Sequence, residues 1–222
     1  MPHQLPENPS HRDCSAVAKH VYRSAPRFRR AMMRYRPWIC PFDGLIESVP
    51  PGSRVLDVGC GGGLMLVLLA AAGRLEHGVG FDSDLSTVSL ANAVSQAHQL
   101  PLVFEHVAVQ DDWPEGPFNL VSVIDVMHHV PPADQRAFLD QLIQKTPPGG
   151  LLVYKDMARR PVWRAAANRV HDLALARQWI NYFPIQWVEQ RAIEQGLELV
   201  RSEDRAMLWY AHELRVFTRP GG

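Results

Sequence analysis

The sequence predicts an α/β fold: a doubly wound, mostly parallel sheet with helices on both faces. Three observations predict it. Short apolar runs alternate with helical stretches four times between Arg54 and Tyr154. The first run, Val55-Leu56-Asp57-Val58, ends in Gly59-Cys60-Gly61-Gly62-Gly63 and is followed by a helix-length apolar stretch from Leu64 to Ala72. The fourth run, Phe118 to Ile124, is almost unbroken, as a strand covered on both faces has to be.

The elements follow in order. Residues 1–11 are rich in Pro, His and Asn and are expected to be poorly ordered. Arg12 to Arg36 has a helical pattern broken at Pro26, and Tyr35 to Phe42 is a proline-punctuated aromatic segment that should not be one helix. That segment is placed to fold over a pocket or to pack on the sheet. Asp43 to Val49 is a short helix, ended by Pro50-Pro51-Gly52. After the glycine turn and its helix come a second strand at Gly78–Phe81 and a helix from Asp84 to His98. A third strand follows at Leu102–Val107. Pro131-Pro132 and Asp134 open a helix with Phe138, Leu139, Leu142 and Ile143 on one face. A fifth strand, Leu151 to Tyr154, comes next and is closed by Lys155-Asp156.

Beyond Asp156 the pattern loosens. A helix is expected from Arg160 to about Gln178, with Trp163, Ala167, Val170 and Ala174 on one face. A further helix spans Ile185 to Gln195. Leu197–Ser202 and Leu208–Thr218 complete a seven-stranded sheet with an antiparallel C-terminal strand, joined by a charged turn at Glu203-Asp204-Arg205. The expected organisation is one domain over 1–222. It comprises an N-terminal cap (1–44), a core (45–156), a helical insertion (157–184) and a C-terminal helix with strands (185–222).

Composition excludes several classes. An apolar share of 46% supports a large buried core. Cys14, Cys40 and Cys60 are too few and too scattered for a disulfide framework or a zinc site, which points to a reducing, cytoplasmic setting and no metal. The N-terminus lacks an apolar signal core, and the longest apolar run is about half a membrane span, so no transmembrane segment is expected. Net charge is zero but unevenly spread. Residues 1–53 carry 8 Lys and Arg against 4 Asp and Glu, residues 54–158 carry 5 against 12, and residues 159–222 carry 10 against 7. Basic flanks suit an anionic small molecule, lipid head groups or nucleic acid, or they are simply solvated surface.

The glycine turn discriminates among ligands. The dinucleotide fingerprint needs a third glycine where Leu64 stands, and no Gly-Lys-Ser/Thr follows for a phosphate loop. Asp57 ends the first strand two residues before Gly59, where a desolvated carboxylate needs a cationic partner. A pyrophosphate would be repelled there; a ligand bearing an ammonium group would be held. Asp82 ends the second strand about 20 residues on, where a carboxylate can accept ribose hydroxyls. Asp84 reads better as a helix cap than as a ligand.

This stretch is similar to motif I of the class I S-adenosylmethionine-dependent methyltransferases, and the resemblance extends over residues 45–156 and, in outline, 185–218. It implies S-adenosylmethionine as cofactor and S-adenosylhomocysteine as product. It places the methionine part on Asp57, Gly59, Cys60, Gly61 and Gly63, and the ribose on Asp82 with Ser83 beside it. Many members carry Gly-Asp after the third strand for the adenine. This chain reads Val109-Gln110-Asp111-Asp112-Trp113, which leaves Gln110, Asp111 or Asp112 for that role, Asp111 with Gln110 being favoured, and Trp113 to line the pocket or pack. Ile124-Asp125-Val126-Met127-His128-His129-Val130 resembles motif IV, with Asp125 and Val126 toward the cofactor and either histidine as a base. Some small-molecule O-methyltransferases pair that histidine with an acid at the end of the next strand, here Asp156.

The implied function is methyl transfer to a small-molecule or biosynthetic acceptor, with O-methylation ahead of N-methylation, by a monomer or homodimer. Arginine and aromatic residues at 12–42 and 159–183 suit an acidic, aromatic or lipid-like acceptor. Nucleic acid is disfavoured because motif IV lacks the Pro-Pro-Tyr/Phe that stacks a flipped base. The competing classes are a non-catalytic cofactor-binding protein and a Rossmann oxidoreductase.

Overall fold

The computed structural model describes residues 4–108, 110–158, 181–208 and 210–221. Seven strands form one sheet in the order β3-β2-β1-β4-β5-β7-β6. They are β1 (Ser53–Val58), β2 (Leu75–Asp82), β3 (Leu102–His106), β4 (Leu120–Ile124), β5 (Leu151–Met157), β6 (Glu198–Met207) and β7 (Tyr210–Thr218). β1, β2 and β3 pair in parallel, whereas β7 runs antiparallel to both β5 and β6. The predicted fold class is therefore found. The chain clusters into two compact units, residues 1–122 and 123–222. Among the described residues no helix is long and apolar enough to cross a membrane.

In the first unit, α4 (Leu64–Ala71) is buried on nearly all sides, which is why its sequence shows no polar face. α5 (Leu85–His98) begins where Asp84 accepts from the Ser86 and Thr87 amides at 2.8 and 3.3 Å, so the predicted cap is present. Three N-terminal expectations need correction. Residues 4–10 are tied down: Leu5 is buried, its amide donates to the Ala71 carbonyl, and Ser10 and Asp13 form a capping box that starts α1 (His11–Val21). The segment from Tyr35 does not break at Pro37, because α2 (Arg27–Ile39) continues through it. Pro37 stands two residues from the helix end and is buried, so the missing N–H costs only one terminal bond. α3 (Phe42–Glu47) then starts one residue earlier than expected.

In the second unit, α6 (Gln135–Lys145) buries Phe138, Leu139, Leu142 and Ile143, the face expected from their spacing. α7 (Ile185–Glu194) buries Ile185, Val188 and Ala192. β5 does not end at Tyr154 but runs to Met157, so Lys155 and Asp156 are strand residues. The expected turn at Glu203-Asp204-Arg205 is also wrong. These residues lie inside β6, and the reversal comes after Met207, which pairs with Tyr210. An edge strand with solvent on one side accommodates alternating charge, and ion pairs Arg201–Glu203 and Arg215–Asp204 hold it. The helix expected from Arg160 to Gln178 lies outside the described residues.

Candidate active site

The first cluster is built on β1 and its turn. Asp57 is the penultimate residue of β1, and the strand's burial leaves its side chain only 2% exposed. The Ser122 hydroxyl on β4 donates to Asp57 Oδ1 at 2.6 Å. Burial pushes the Asp57 carboxyl up to about 7; the Ser122 bond and Arg36 oppose the shift, and Asp82 adds to it. A buried carboxylate held by one hydroxyl is short of compensation, and a cationic ligand group would supply it.

The turn itself is shaped by left-handed glycines at Gly59, Gly61 and Gly63 (φ of 67, 53 and 78°). A Cβ on Gly63 would lie 2.5 Å from the Phe104 ring, whereas one on Gly61 would meet nothing within 4 Å. The turn is thus closed on its protein side and open at Gly61. Asp82 holds it: Oδ2 accepts from the Gly61 amide and Oδ1 from the Asp84 amide, both at 2.9 Å. Each oxygen keeps a lone pair for a further donor. Cys60 donates its amide to the Phe81 carbonyl, and burial pushes its thiol up, making it an unreactive wall residue. Ser83 is exposed, and its carbonyl meets His106 Nε2 at 3.0 Å.

Of the adenine candidates, Asp111 turns back on its own loop, accepting from the Ala108 amide at 3.3 Å, while Gln110 and Asp112 are exposed. Trp113 is buried against Phe81, ring centroids 5.1 Å apart, and so packs in the core.

The second cluster follows β4. Asp125 adopts φ 57°, a strained value for a non-glycine residue. Its amide donates to the Lys155 carbonyl, and buried Lys155 donates from Nζ to Asp125 Oδ1 at 2.5 Å. The tight bend leads through Val126 into a single 3₁₀ turn, Met127–His129. There His128 is 2% exposed and its Nδ1 bonds Asp156 Oδ1, while its amide donates to Asp156 Oδ2 at 3.1 Å. Two bonds from one carboxylate fix both the backbone and the ring. A carboxylate can only accept, so Nδ1 carries a proton directed at Asp156. His129 is exposed, its ring centroid 4.0 Å from that of His128. Of the two histidines, only His128 is engaged by Asp156 in this way. Across the ladder, Glu213 faces Asp156, and burial, then Asp204, pushes its carboxyl up to about 7.

Several contributors were invisible to pattern reading. Ser122 interrupts an otherwise apolar strand, which was the one available signal. Buried Tyr22 donates its hydroxyl to the Gly62 carbonyl at 2.7 Å, tying α1's end to the glycine turn over 40 residues. Lys155, expected only to close the fifth strand, neutralises Asp125 from inside it.

Comparison with known proteins identifies the family and the fold. A family model described as a methyltransferase domain matches residues 23–202. The ubiquinone biosynthesis O-methyltransferase of Maricaulis maris is 32% identical over 121 residues, covering 53% of this chain and 46% of that protein. The 2-methyl-6-phytyl-1,4-hydroquinone methyltransferase of Synechocystis is 33% identical over 150 residues, covering 65% and 42%. The chain thus spans about half the length of these curated relatives. In fold it is similar to the crystal structure of magnesium protoporphyrin IX methyltransferase from Synechocystis with bound S-adenosylhomocysteine. The TM-score is 0.68 at 18% identity, covering 90% of this chain and 92% of that one. With more than half of its length matched by the family model, the chain belongs to the methyltransferase-domain family.

Proposed function

We propose that this protein transfers a methyl group from S-adenosylmethionine to a hydroxyl of a small aromatic acceptor. The observation that carries the reading is the buried His128–Asp156 pair, in which one carboxylate orients both the ring and the backbone of the histidine. When bound, S-adenosylmethionine supplies an electrophilic methyl group on a sulfonium. The residues of the glycine turn fit such a ligand. Asp57 accepts its ammonium, the open backbone at Gly61 admits the amino-acid part, and the remaining lone pairs of Asp82 accept ribose hydroxyls. Gln110 and Asp111 are the candidates for the adenine edge.

His128 Nε2 takes the proton of the acceptor hydroxyl as its oxygen becomes nucleophilic. Asp156 is a positioning residue that orients the ring and stabilises the imidazolium once formed. Asp125 serves through Lys155, which fixes the bend that delivers His128, so we assign it a structural role beside any cofactor contact. Positioning supplies the remainder of the rate. The names of two similar proteins, for ubiquinone biosynthesis and for a phytyl hydroquinone, support an aromatic hydroxyl acceptor with an apolar substituent. The low number and wide scatter of the cysteines support a reducing, cytoplasmic location.

The test is a product screen with methyl-labelled S-adenosylmethionine against phenols, catechols, hydroquinones and matched anilines. Label should enter hydroxyl acceptors and depend on His128. Transfer confined to amines would overturn the hydroxyl reading. Tight cofactor binding without transfer to any acceptor would favour a non-catalytic binding protein.

A further inference from the structure

The helix α2 is amphipathic in the wrong direction for a core helix. Its buried side is narrow, made by Met33 and Pro37, with Met33 sulfur against Gly62. At 100° per residue, Phe28, Met32 and Tyr35 fall on the opposite side, with Trp38 at its border. These are exposed by 60, 37, 36 and 37% respectively. A row of large apolar side chains therefore points to water from a helix whose other face is already packed. Scattered exposed apolar residues are ordinary, but a contiguous row on one helix face is not.

The charges frame this row. On the helical wheel Arg27, Arg30 and Arg34 border it on one side, and Arg36 and Arg29 on the other. Arg29 is held from α5 by Ser86 and Thr87 at 2.9 and 3.0 Å. From Cys14 to Phe42 the sequence has seven Lys and Arg and no Asp or Glu. Because the whole chain has net charge zero, this positive field is local and has a direction. Aromatic rings with a polar edge between guanidinium groups match the boundary of an anionic bilayer: rings at the acyl boundary, arginines at the phosphates. A nucleic-acid duplex would meet the arginines but would leave the apolar row against water or phosphate.

We propose that the outer face of α2 docks this protein on an anionic lipid bilayer, lying in the interface plane without crossing it. The inference goes beyond the methyl-transfer reading and does not depend on it. Phe28 and Met32 enter the head-group region, and Arg27 and Arg34 meet lipid phosphates from the flank.

Flotation with vesicles tests it, using the full chain and phosphatidylcholine with or without phosphatidylglycerol. The wild type should float with anionic vesicles, weakly with neutral ones, and be released by high salt. The double variants Phe28→Ser/Met32→Ser and Arg27→Gln/Arg34→Gln should each lose about tenfold or more in vesicle affinity. Both should keep the wild-type melting temperature and S-adenosylhomocysteine affinity, since all four residues are exposed. Equal binding to neutral vesicles, unchanged binding by the double variants, or tighter binding to RNA than to anionic vesicles would each overturn the proposal. Loss of cofactor binding in the wild type would instead count against the methyl-transfer reading and leave the vesicle result standing.

Discussion

Ser122 and Asp57 lie 65 residues apart in sequence, yet the hydroxyl of one donates to the buried carboxyl of the other at 2.6 Å. That single bond does not offset the desolvation of Asp57, whose carboxyl stays near 7. Asp57 is therefore a poorly compensated acid where a cationic ligand group is expected to bind. Asp57→Asn keeps the Ser122 contact and removes the charge. It should stabilise the ligand-free protein at pH 8, by on the order of 2–4 kcal/mol, while lowering S-adenosylhomocysteine affinity at least tenfold. Thermal melting and calorimetry on the same sample read both signs. A variant that loses stability and keeps affinity would sink the assignment.

The pH dependence follows from the same shift. Asp57 and Glu213 both have folded-state pKa values raised to about 7. The native state then binds more protons than the unfolded chain between the ordinary carboxylate range and 7. Their contribution to stability is full below that ordinary range and is lost as pH rises through 7. The ligand-free melting temperature should fall between pH 6 and pH 8, and a variant with both Asp57→Asn and Glu213→Gln should flatten the slope. S-adenosylhomocysteine, whose ammonium needs ionised Asp57, should bind more tightly at pH 8 than at pH 6.

Two glycines of the turn separate folding from binding. Gly63→Ala puts a methyl 2.5 Å from the Phe104 ring at φ 78°, and should cost about 3 kcal/mol or more of stability. Gly61→Ala meets nothing within 4 Å at φ 53°, so only backbone strain of about 1 kcal/mol applies. It should fold yet bind the cofactor poorly, because the methyl occupies the open side of the turn. Equilibrium unfolding and ligand titration distinguish the two, and equal stability losses would contradict this geometry.

For the dyad, His128→Asn should lower kcat by about 10²–10⁴-fold with a hydroxyl acceptor, leaving the cofactor's dissociation constant within a small factor. Asp156→Asn should also act on kcat more than on KM, since it releases the ring without touching the acceptor. His129→Ala, on the exposed neighbour, should change kcat by less than about tenfold. A larger effect at His129 than at His128 would reverse the assignment between them.

Asp84 gives a negative control. It caps α5 through the Ser86 and Thr87 amides, and its carboxyl is held well below the ordinary range mainly by hydrogen bonds from Ser86 and Thr87. Asp84→Ala should cost about 1 kcal/mol with no change in cofactor affinity. Because the folded pKa is depressed, that contribution is present above the ordinary carboxylate range and lost on acidification.

Much of the site was legible because its signals are local. The left-handed glycines after β1 and the acid ending β2 are dictated by backbone sterics and by strand-to-helix turns. The cap at Asp84 is equally local, spanning three residues. The errors were local conflicts that tertiary packing settled. Pro37 breaks a helix in isolation, but here it is buried near the helix end. Glu203-Asp204-Arg205 reads as a turn by composition, but an edge strand tolerates charge when Arg215 reaches Asp204 at 2.7 Å.

The sequence by itself determined the α/β alternation, the glycine turn after Asp57 and the class of ligand that turn excludes. These depend on periodicity, φ preferences and charge within a few residues. Only the tertiary structure decided which histidine pairs with Asp156, that Ser122 supports Asp57, that Lys155 neutralises Asp125, and which way the aromatic row of α2 points. Each of those depends on burial and on distances between residues far apart in the chain. A buried charge selects its partner by proximity after folding, and no local pattern encodes that choice.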